Sequence, residues 1–230
     1  MRLYLNAARI SRGNWTLAAH GTFHEGMHLV SGDVGSGKST LALMIAGLLS
    51  PKDGSIEQQG ISSMMISLQF PEYHITGSTV AEECSSWGLD GDQILNDIDL
   101  MDKHDSAPLT LSRGELKRLH LACILAKKYD LLLLDEPFSS LDAREKERVC
   151  EKISHRTGGI TILFTHEQAI FPRVDHIWEI EQGRLIDRGE MPDALTRWEH
   201  APPLIKKILA TGKSLKNISR SDLLEAVCRT

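Results

Sequence analysis

The sequence has little of what marks several large classes of protein. Its four cysteines are scattered and form no C-x-x-C pair, so neither a disulfide framework nor a zinc site is expected. Basic residues are not in excess, because the formal net charge is −5, which argues against a nucleic acid as the main partner. No apolar run approaches the ~20 residues that span a bilayer, and the first residues lack the apolar segment of a signal peptide. We therefore expect a chain of the reducing cytosol whose contacts with a membrane, where it makes them, are peripheral.

The composition is that of an ordinary globular protein. Hydrophobic residues make up 41% of the 230 positions and charged residues 25%, which is enough for a sizeable core. A chain of this length forms one large domain, or one domain with a lobe and a tail. We place the main domain at residues 1–200 and a helical tail at 201–230, which begins near a pair of prolines.

One segment near the N-terminus matches the pattern G-x-x-x-x-G-K-[ST]. Its residues are Gly32, Asp33, Val34, Gly35, Ser36, Gly37, Lys38, Ser39 and Thr40. Loops of this pattern wrap their backbone N–H groups around a polyphosphate; the lysine reaches the β- and γ-phosphates, and the next hydroxyl completes the shell of a bound Mg²⁺. A short apolar segment precedes the loop and a helical pattern follows at 41–49, so a helix N-terminus would point at the phosphates. The segment predicts a site for a nucleoside triphosphate and Mg²⁺.

Strand and helix patterns alternate along the rest of the chain. The unbroken apolar runs at 131–134 and 160–164 are typical of parallel strands covered on both faces, and a helical pattern at 143–155 lies between them. Short alternating segments before residue 26 predict an antiparallel strand layer. Between about 70 and 128 the pattern turns helical, which predicts a lobe inserted in the core. The order of these elements indicates an α/β protein.

Two adjacent acids follow the apolar run at 131–134. An acid at the carboxyl end of a core strand is where P-loop NTPases hold Mg²⁺, so Asp135 is a candidate metal ligand. Glu136 points elsewhere and would polarise the attacking water as a general base. The plain alternative is the start of a solvated loop, which is the weaker interpretation beside a phosphate-binding loop.

Further short motifs resemble those of ABC-type ATPases. Residues 111–115 read LSRGE and resemble the signature motif of that family, LSGGQ or LSGGE, and residues 139–142 resemble its D-loop. Gln69 follows a predicted strand where the family has its Q-loop glutamine, and His166 matches the switch histidine. With the phosphate-binding loop and the paired acids, these motifs stand in the family order over about residues 26–190. The resemblance implies a P-loop NTPase of ABC type, with a RecA-like parallel-sheet core, an antiparallel β layer and an α-helical lobe.

The resemblance also implies how the residues work. Two ATPase domains would sandwich ATP, and Ser112 and Gly114 of one would grip the γ-phosphate held by the loop of the other. The residues implied for catalysis are Lys38, Gln69, Glu136 and His166, and those implied as ligands of Mg²⁺ are Ser39, Gln69 and Asp135. ATP would close the pair of domains and its hydrolysis would release it.

The sequence departs from the family pattern at two places. Arg113 replaces the first glycine of the signature motif; we expect it to be tolerated, because Gly114 is where close approach to the nucleotide matters most. The family commonly stacks an aromatic ring on adenine, and the matching place falls near Arg12. Either the planar guanidinium of Arg12 stacks on the base, or Trp15 folds in, while Trp15 is also an ordinary candidate for packing.

A longer segment narrows the resemblance. Residues 69–74, QFPEYH, with 76–83, TGSTVAEE, look like the Q-loop segment of energy-coupling-factor transporter ATPases, and the tail is loosely similar to theirs. This implies an ATPase at the cytoplasmic face of a membrane, which drives an importer together with transmembrane subunits and a second ATPase subunit, a copy or a relative. The solute would be selected by a partner.

Two alternatives remain at this stage. A soluble ABC protein acting on DNA or ribosomes is less favoured, because no long heptad insertion separates Gln69 from Ser112, no second cassette is present and the charge is not basic. A P-loop kinase of small molecules would require the signature-like segment and His166 to be coincidences.

Overall fold

The computed structural model describes residues 1–228, and within them nine strands form one sheet. The strands are β1 (Arg2–Arg12), β2 (Trp15–His24), β3 (Gly26–Ser31), β4 (Asp53–Gln59), β5 (Met64–Ser67), β6 (Leu131–Asp135), β7 (Ile160–Phe164), β8 (His176–Glu181) and β9 (Arg184–Glu190). Their order across the sheet is β4-β1-β2-β9-β8-β3-β7-β6-β5. Strands β8, β3, β7, β6 and β5 pair in parallel, whereas β1 pairs with β2 and β4, and β8 with β9, in antiparallel fashion. The predicted α/β class, with a parallel core and an antiparallel layer, is confirmed.

Seven α-helices lie in the described part of the chain. They are α1 (Lys38–Ile45), α2 (Val80–Ser86), α3 (Gly91–Asp97), α4 (Arg113–Leu125), α5 (Ala143–Ser154), α6 (Pro203–Ala210) and α7 (Arg220–Cys228). Short 3₁₀ turns occur at Pro71–His74, Met101–Lys103, Pro108–Thr110 and Asp193–Thr196. Helices α6 and α7 lie in the expected tail, whose last residues, 229–230, fall outside the described residues. The domain division at residue 200 stays a prediction.

The apolar run of β6 shows why parallel strands lose the alternation of exposed strands. Leu131 and Leu133 pack into the cluster that contains α1, whereas Leu132 and Leu134 pack into the cluster that contains α4 and α5. All four side chains are fully buried. Because each buried leucine contributes roughly 1.5–3 kcal/mol, this strand is a main source of core stability.

Helix α4 joins the helical lobe to the core. One part of it, including Leu119 and Cys123, packs with Val80 and Leu95 in a small cluster of the lobe. Another part, including Leu121, packs in the core cluster under the sheet. The helix ends at Leu125, before the end of the helical pattern expected to continue to about 128, and Arg156 donates to the carbonyl oxygens of Lys127 and Tyr129 just beyond it.

Candidate active site

The phosphate-binding loop connects β3 to α1. Gly32 has φ 144°, and a Cβ atom there would lie 2.8 Å from the carbonyl oxygen of Ile180. Gly37 has φ 115° and is the N-cap of α1, where a Cβ atom would meet the ring of Trp15 at 2.6 Å. Glycine is therefore required at both ends of the loop. The helix begins at Lys38 and ends at Ile45, rather than covering the predicted 41–49, so its N-terminus faces the loop.

Lys38 lies on the floor of this loop. Its ammonium group donates to the carbonyl oxygens of Gly32, at 2.8 Å, and Asp33, at 3.0 Å. It also lies 3.8 Å from Oε1 of Glu136. Burial lowers the pKa of Lys38, and the charges of Glu136 and Asp135 oppose that shift. The arrangement places a cation where the loop would hold the anionic oxygens of a phosphate.

Asp135 ends β6 beside the start of α1. Its side chain is 2% exposed, and burial raises its pKa while the neighbouring Ser39 hydroxyl lowers it. Its Oδ1 atom is buried and, among residues 1–228, has no hydrogen-bond partner. Unpartnered carboxylate oxygens are rare in protein interiors, and a carboxylate beside a hydroxyl is a donor set suited to Mg²⁺. The residues present therefore fit that ion.

Glu136 is held by the neighbouring strand. Asp135 pairs with Phe164 across β6 and β7, so the residues that follow these two strands lie close together beyond the edge of the sheet. Oε2 of Glu136 accepts from the Thr165 hydroxyl at 3.0 Å, and Oε1 lies 2.7 Å from Nδ1 of His166. The backbone N–H of His166 also donates to Oε1, at 3.1 Å. A buried carboxylate with this fixed orientation is suited to accept a proton from a bound water.

The signature-like segment forms the start of α4. Ser112 is exposed and is the N-cap: its Oγ accepts from the backbone N–H of Glu115, and the Glu115 carboxylate accepts from the N–H of Ser112 at 2.8 Å. A Cβ atom on Gly114 would lie 2.9 Å from the carbonyl oxygen of Ser140, so the D-loop-like segment packs against it. Arg113 is exposed. The free N-terminus of a 13-residue helix here presents N–H groups to a surface.

The structure brings together most of the residues singled out from the sequence, but not all. Lys38, Asp135, Glu136 and His166 share one site, with Ser39 beside Asp135. Gln69 follows β5, the strand next to β6, and is exposed. Ser112 makes its cap bonds within its own helix, and its role toward a nucleotide stays a prediction.

The two candidates for contact with adenine lie at the turn between β1 and β2. Arg12 is exposed and is the cross-strand partner of Trp15. The Trp15 ring lies against Gly37 and packs on the core cluster. Trp15 therefore lies next to the loop. Which of the two side chains stacks on adenine stays a prediction.

Sequence reasoning missed two features that surround this site. The S-x-x-E spacing of Ser112 and Glu115 is a capping box, a signal that was readable from the sequence alone. Lys117, buried on α4, donates to the carbonyl oxygen of Gln69 at 3.0 Å. No sequence motif predicts the bond from Lys117 to Gln69, because a lysine on a helix is normally exposed.

Comparison with known proteins gives a family match and distant relatives. A family model described as ABC transporter matches residues 20–139. The energy-coupling factor transporter ATP-binding protein EcfA2 of Thermotoga maritima is 27% identical, over 88% of this chain and 86% of the relative. Within residues 1–228, no helix is both long and apolar enough to cross a bilayer.

Two solved structures share the fold. CbiO1 of Clostridium perfringens, described as part of the ABC transporter complex cbiONQ, superposes with a TM-score of 0.67 at 22% identity, over 90% of this chain and 94% of that one. The RNase-L inhibitor superposes with a TM-score of 0.71 at 23% identity over 86% of this chain, which spans only 41% of that larger protein. At these identities the likeness concerns the fold alone.

Proposed function

Because the chain belongs to the ABC transporter family, whose members are ATPases that bind ATP, we propose that it is the ATP-hydrolysing subunit of a membrane importer of the energy-coupling-factor type. The observation that supports catalysis most directly is the buried Glu136 carboxylate, oriented by Thr165 and His166 and 3.8 Å from the Lys38 ammonium. The supports for the transporter class are the relatedness to EcfA2 and the segment that follows Gln69.

Hydrolysis would use the residues of this chain as follows. The loop N–H groups and Lys38 would hold the β- and γ-phosphates of ATP, and Ser39, Gln69 and Asp135 would hold Mg²⁺, which would supply positive charge to stabilise the transferring phosphoryl group. Glu136 would take a proton from the attacking water. At the same time the water oxygen would bond to the γ-phosphorus, and the bond from the γ-phosphorus to the ADP oxygen would break. His166 keeps the Glu136 carboxylate oriented. Most of the rate enhancement then comes from positioning and electrostatics.

The rest of the site would come from a second ATPase subunit, a copy of this chain or a relative. Ser112 and Arg113 are exposed at the start of α4, so this helix end could meet a γ-phosphate bound by the loop of the other subunit. ATP would act as the contact between the two surfaces. Its hydrolysis to ADP and phosphate would remove that contact and let the subunits separate.

Coupling to transport would use the exposed segment after Gln69. Phe70 and Tyr73 are 52% and 74% exposed, and their rings lie edge to face 6.2 Å apart. Exposed aromatic pairs are suited to contact with another protein. We propose that transmembrane subunits contact the chain here, which would place it on the cytoplasmic face of the membrane.

Co-expression tests the assignment. The chain would be produced together with any integral membrane proteins that are encoded beside its gene, and purified in detergent through a tag on those proteins. We expect a stoichiometric complex whose ATPase rate rises when its solute is supplied in liposomes. Recovery with ribosomes or nucleic acid instead, and no association with the membrane proteins, would favour the soluble alternative.

A further inference from the structure

The end of β5 is held by polar side chains of α4, the helix that begins at Ser112. Lys117 donates to the carbonyl oxygens of Gln69, at 3.0 Å, and Leu68, at 3.5 Å. His120, one turn further along α4, lies with Nε2 3.1 Å from the Ser67 hydroxyl. Residues three apart share one face of a helix, so a single face of α4 contacts the whole segment 67–69.

The burial of Lys117 is costly and therefore informative. Its side chain is 1% exposed, and burial lowers its pKa to about 8, while the charges of Asp135, Glu136 and Glu72 oppose the shift. An apolar side chain of similar length would fill the space without the cost of desolvating an ammonium group. What the lysine adds is a directed bond to the backbone of Gln69, the residue proposed to hold Mg²⁺.

One further side-chain bond holds the segment next to Gln69, because the backbone N–H of Leu68 donates to Nε2 of His74 at 3.2 Å. A cavity of about 150 Å³ lies between the segment after β5 and the start of α4, lined by Gln69, Arg113, Lys117 and Ser140 among others. The Gln69 side chain is exposed. Without the bonds from Lys117, the backbone at Gln69 would have room to shift toward this cavity.

We propose that Lys117 is a positioning residue, which fixes Gln69 relative to the helix that begins at Ser112. The residue that would hold the cation and the residue that would meet the γ-phosphate of the other subunit are then tied to one rigid element. A displacement of α4 on subunit closure would carry Gln69 with it. This inference rests on the proposed function, because it takes Gln69 as a ligand of Mg²⁺.

The test compares two substitutions of Lys117. Lys117→Met keeps the apolar stem and removes the donors, and Lys117→Arg restores a charged donor. Binding of a fluorescent ATP analogue would be measured during a Mg²⁺ titration and again in excess chelator. We expect Lys117→Met to raise the Mg²⁺ concentration for half-maximal binding about tenfold, as loss of a residue that supports a metal ligand does. Binding of the analogue without Mg²⁺ should not change in Lys117→Met. The Mg²⁺ dependence of Lys117→Arg should be close to that of the parent.

Amide hydrogen exchange gives a second readout, independent of nucleotide. The backbone amides of residues 67–70 should exchange faster in Lys117→Met. Arg118→Met is the matched control, because Arg118 is the next residue on α4 and contacts Glu145 at 3.0 Å. It should leave both the Mg²⁺ dependence and the exchange of residues 67–70 unaltered. If the methionine variant does not fold, Lys117→Leu, whose side chain also lacks a donor, takes its place.

Gln69→Ala separates the inference from the function beneath it. An unaltered Mg²⁺ dependence in Gln69→Ala would refute the proposed role of Gln69 itself. A weakened dependence in Gln69→Ala with a parental one in Lys117→Met would overturn only the inference about Lys117. The double variant should bind Mg²⁺ no more weakly than Gln69→Ala alone, and additive effects would show that Lys117 acts by another route.

Discussion

The two halves of the candidate site differ in how far the chain itself completes them. On the loop side, Lys38, Asp135 and Glu136 are each no more than 6% exposed and are aligned by main-chain and side-chain neighbours. On the signature side, Ser112 is exposed and its hydroxyl is engaged only in capping α4. On the loop side, burial lowers the pKa of Lys38 and raises that of Asp135. The signature side instead offers hydrogen-bond donors at a helix end.

This difference fits the proposed arrangement, in which the site would be shared between two chains. Ionised groups are effective in catalysis when water is excluded, and the sheet and α1 supply that exclusion for the loop side. A helix N-terminus needs no burial to offer N–H groups, but it needs an anion brought to it. Under the proposed function, the loop side would therefore carry the chemistry, and the exposed side would sense whether a partner loaded with ATP is present.

The largest effect is expected at Glu136. Glu136→Gln keeps the shape and removes the base, so hydrolysis should fall by about 10³-fold, within the usual contribution of general base catalysis. ATP binding should persist, and the variant should accumulate as a closed pair with Mg-ATP, measured by light scattering after gel filtration. Glu151→Gln, exposed on α5, is the control. A monomer with normal turnover would show that the base is misassigned.

An intermediate effect, on the free energy of unfolding, is expected at low pH from the protonation of a buried histidine near the loop. His28 on β3 is buried and neutral: Nδ1 accepts from the Trp178 indole at 3.2 Å, while Nε2 lies 2.8 Å from the His24 carbonyl. Burial lowers its pKa to about 4, with the nearby His176 adding to the shift and Asp175 opposing it. The stability it confers is present above the unfolded pKa of about 6.5 and is lost as the pH falls toward 4, by up to about 3 kcal/mol.

Urea denaturation at several pH values measures this slope. Between pH 6.5 and 4 the free energy of unfolding of the parent should decline. His28→Gln should be less stable at pH 7 and should show a flatter decline, because it has no ring to protonate. Some slope should remain from His74 and His120, whose pKa values burial also lowers. Parallel slopes in the two proteins would rule out His28 as a source of the acid sensitivity.

The smallest change in stability is expected on the signature side, where substitutions separate the two proposed roles of Ser112, as a helix cap and as a contact for the γ-phosphate. Ser112→Ala should lose about 1 kcal/mol of stability, the usual cost of an N-cap, together with much of the ATPase rate. Ser112→Asp should retain the cap and the stability, because aspartate is a good N-cap, yet lose hydrolysis through repulsion of the γ-phosphate. Thermal denaturation and ATPase assays distinguish these outcomes. Normal hydrolysis in Ser112→Asp would mean that no phosphate reaches this helix end.

Sequence reasoning identified the local segments that the structure places together, while their functional roles stay predictions. The phosphate-binding loop needs a fixed spacing of glycines and Lys38, and Glu136 follows a strand whose apolar run is unmistakable. It was weaker where packing decides. Residues 70–128 show a helical pattern, but α4 ends at Leu125, and the carbonyl oxygen of Lys127 just beyond it accepts from Arg156, which is distant in sequence.

The sequence by itself carried the α/β class, through the order of its strand and helix patterns, and the resemblance to the family, through short motifs whose residues are adjacent along the chain. Only the tertiary structure decided which neighbours act on those residues. The parallel pairing of β6 with β7 brings His166 to Glu136, and the packing of α4 brings Lys117 to Gln69. Contacts between residues tens of positions apart depend on how the elements pack, and pattern along the chain does not carry that information.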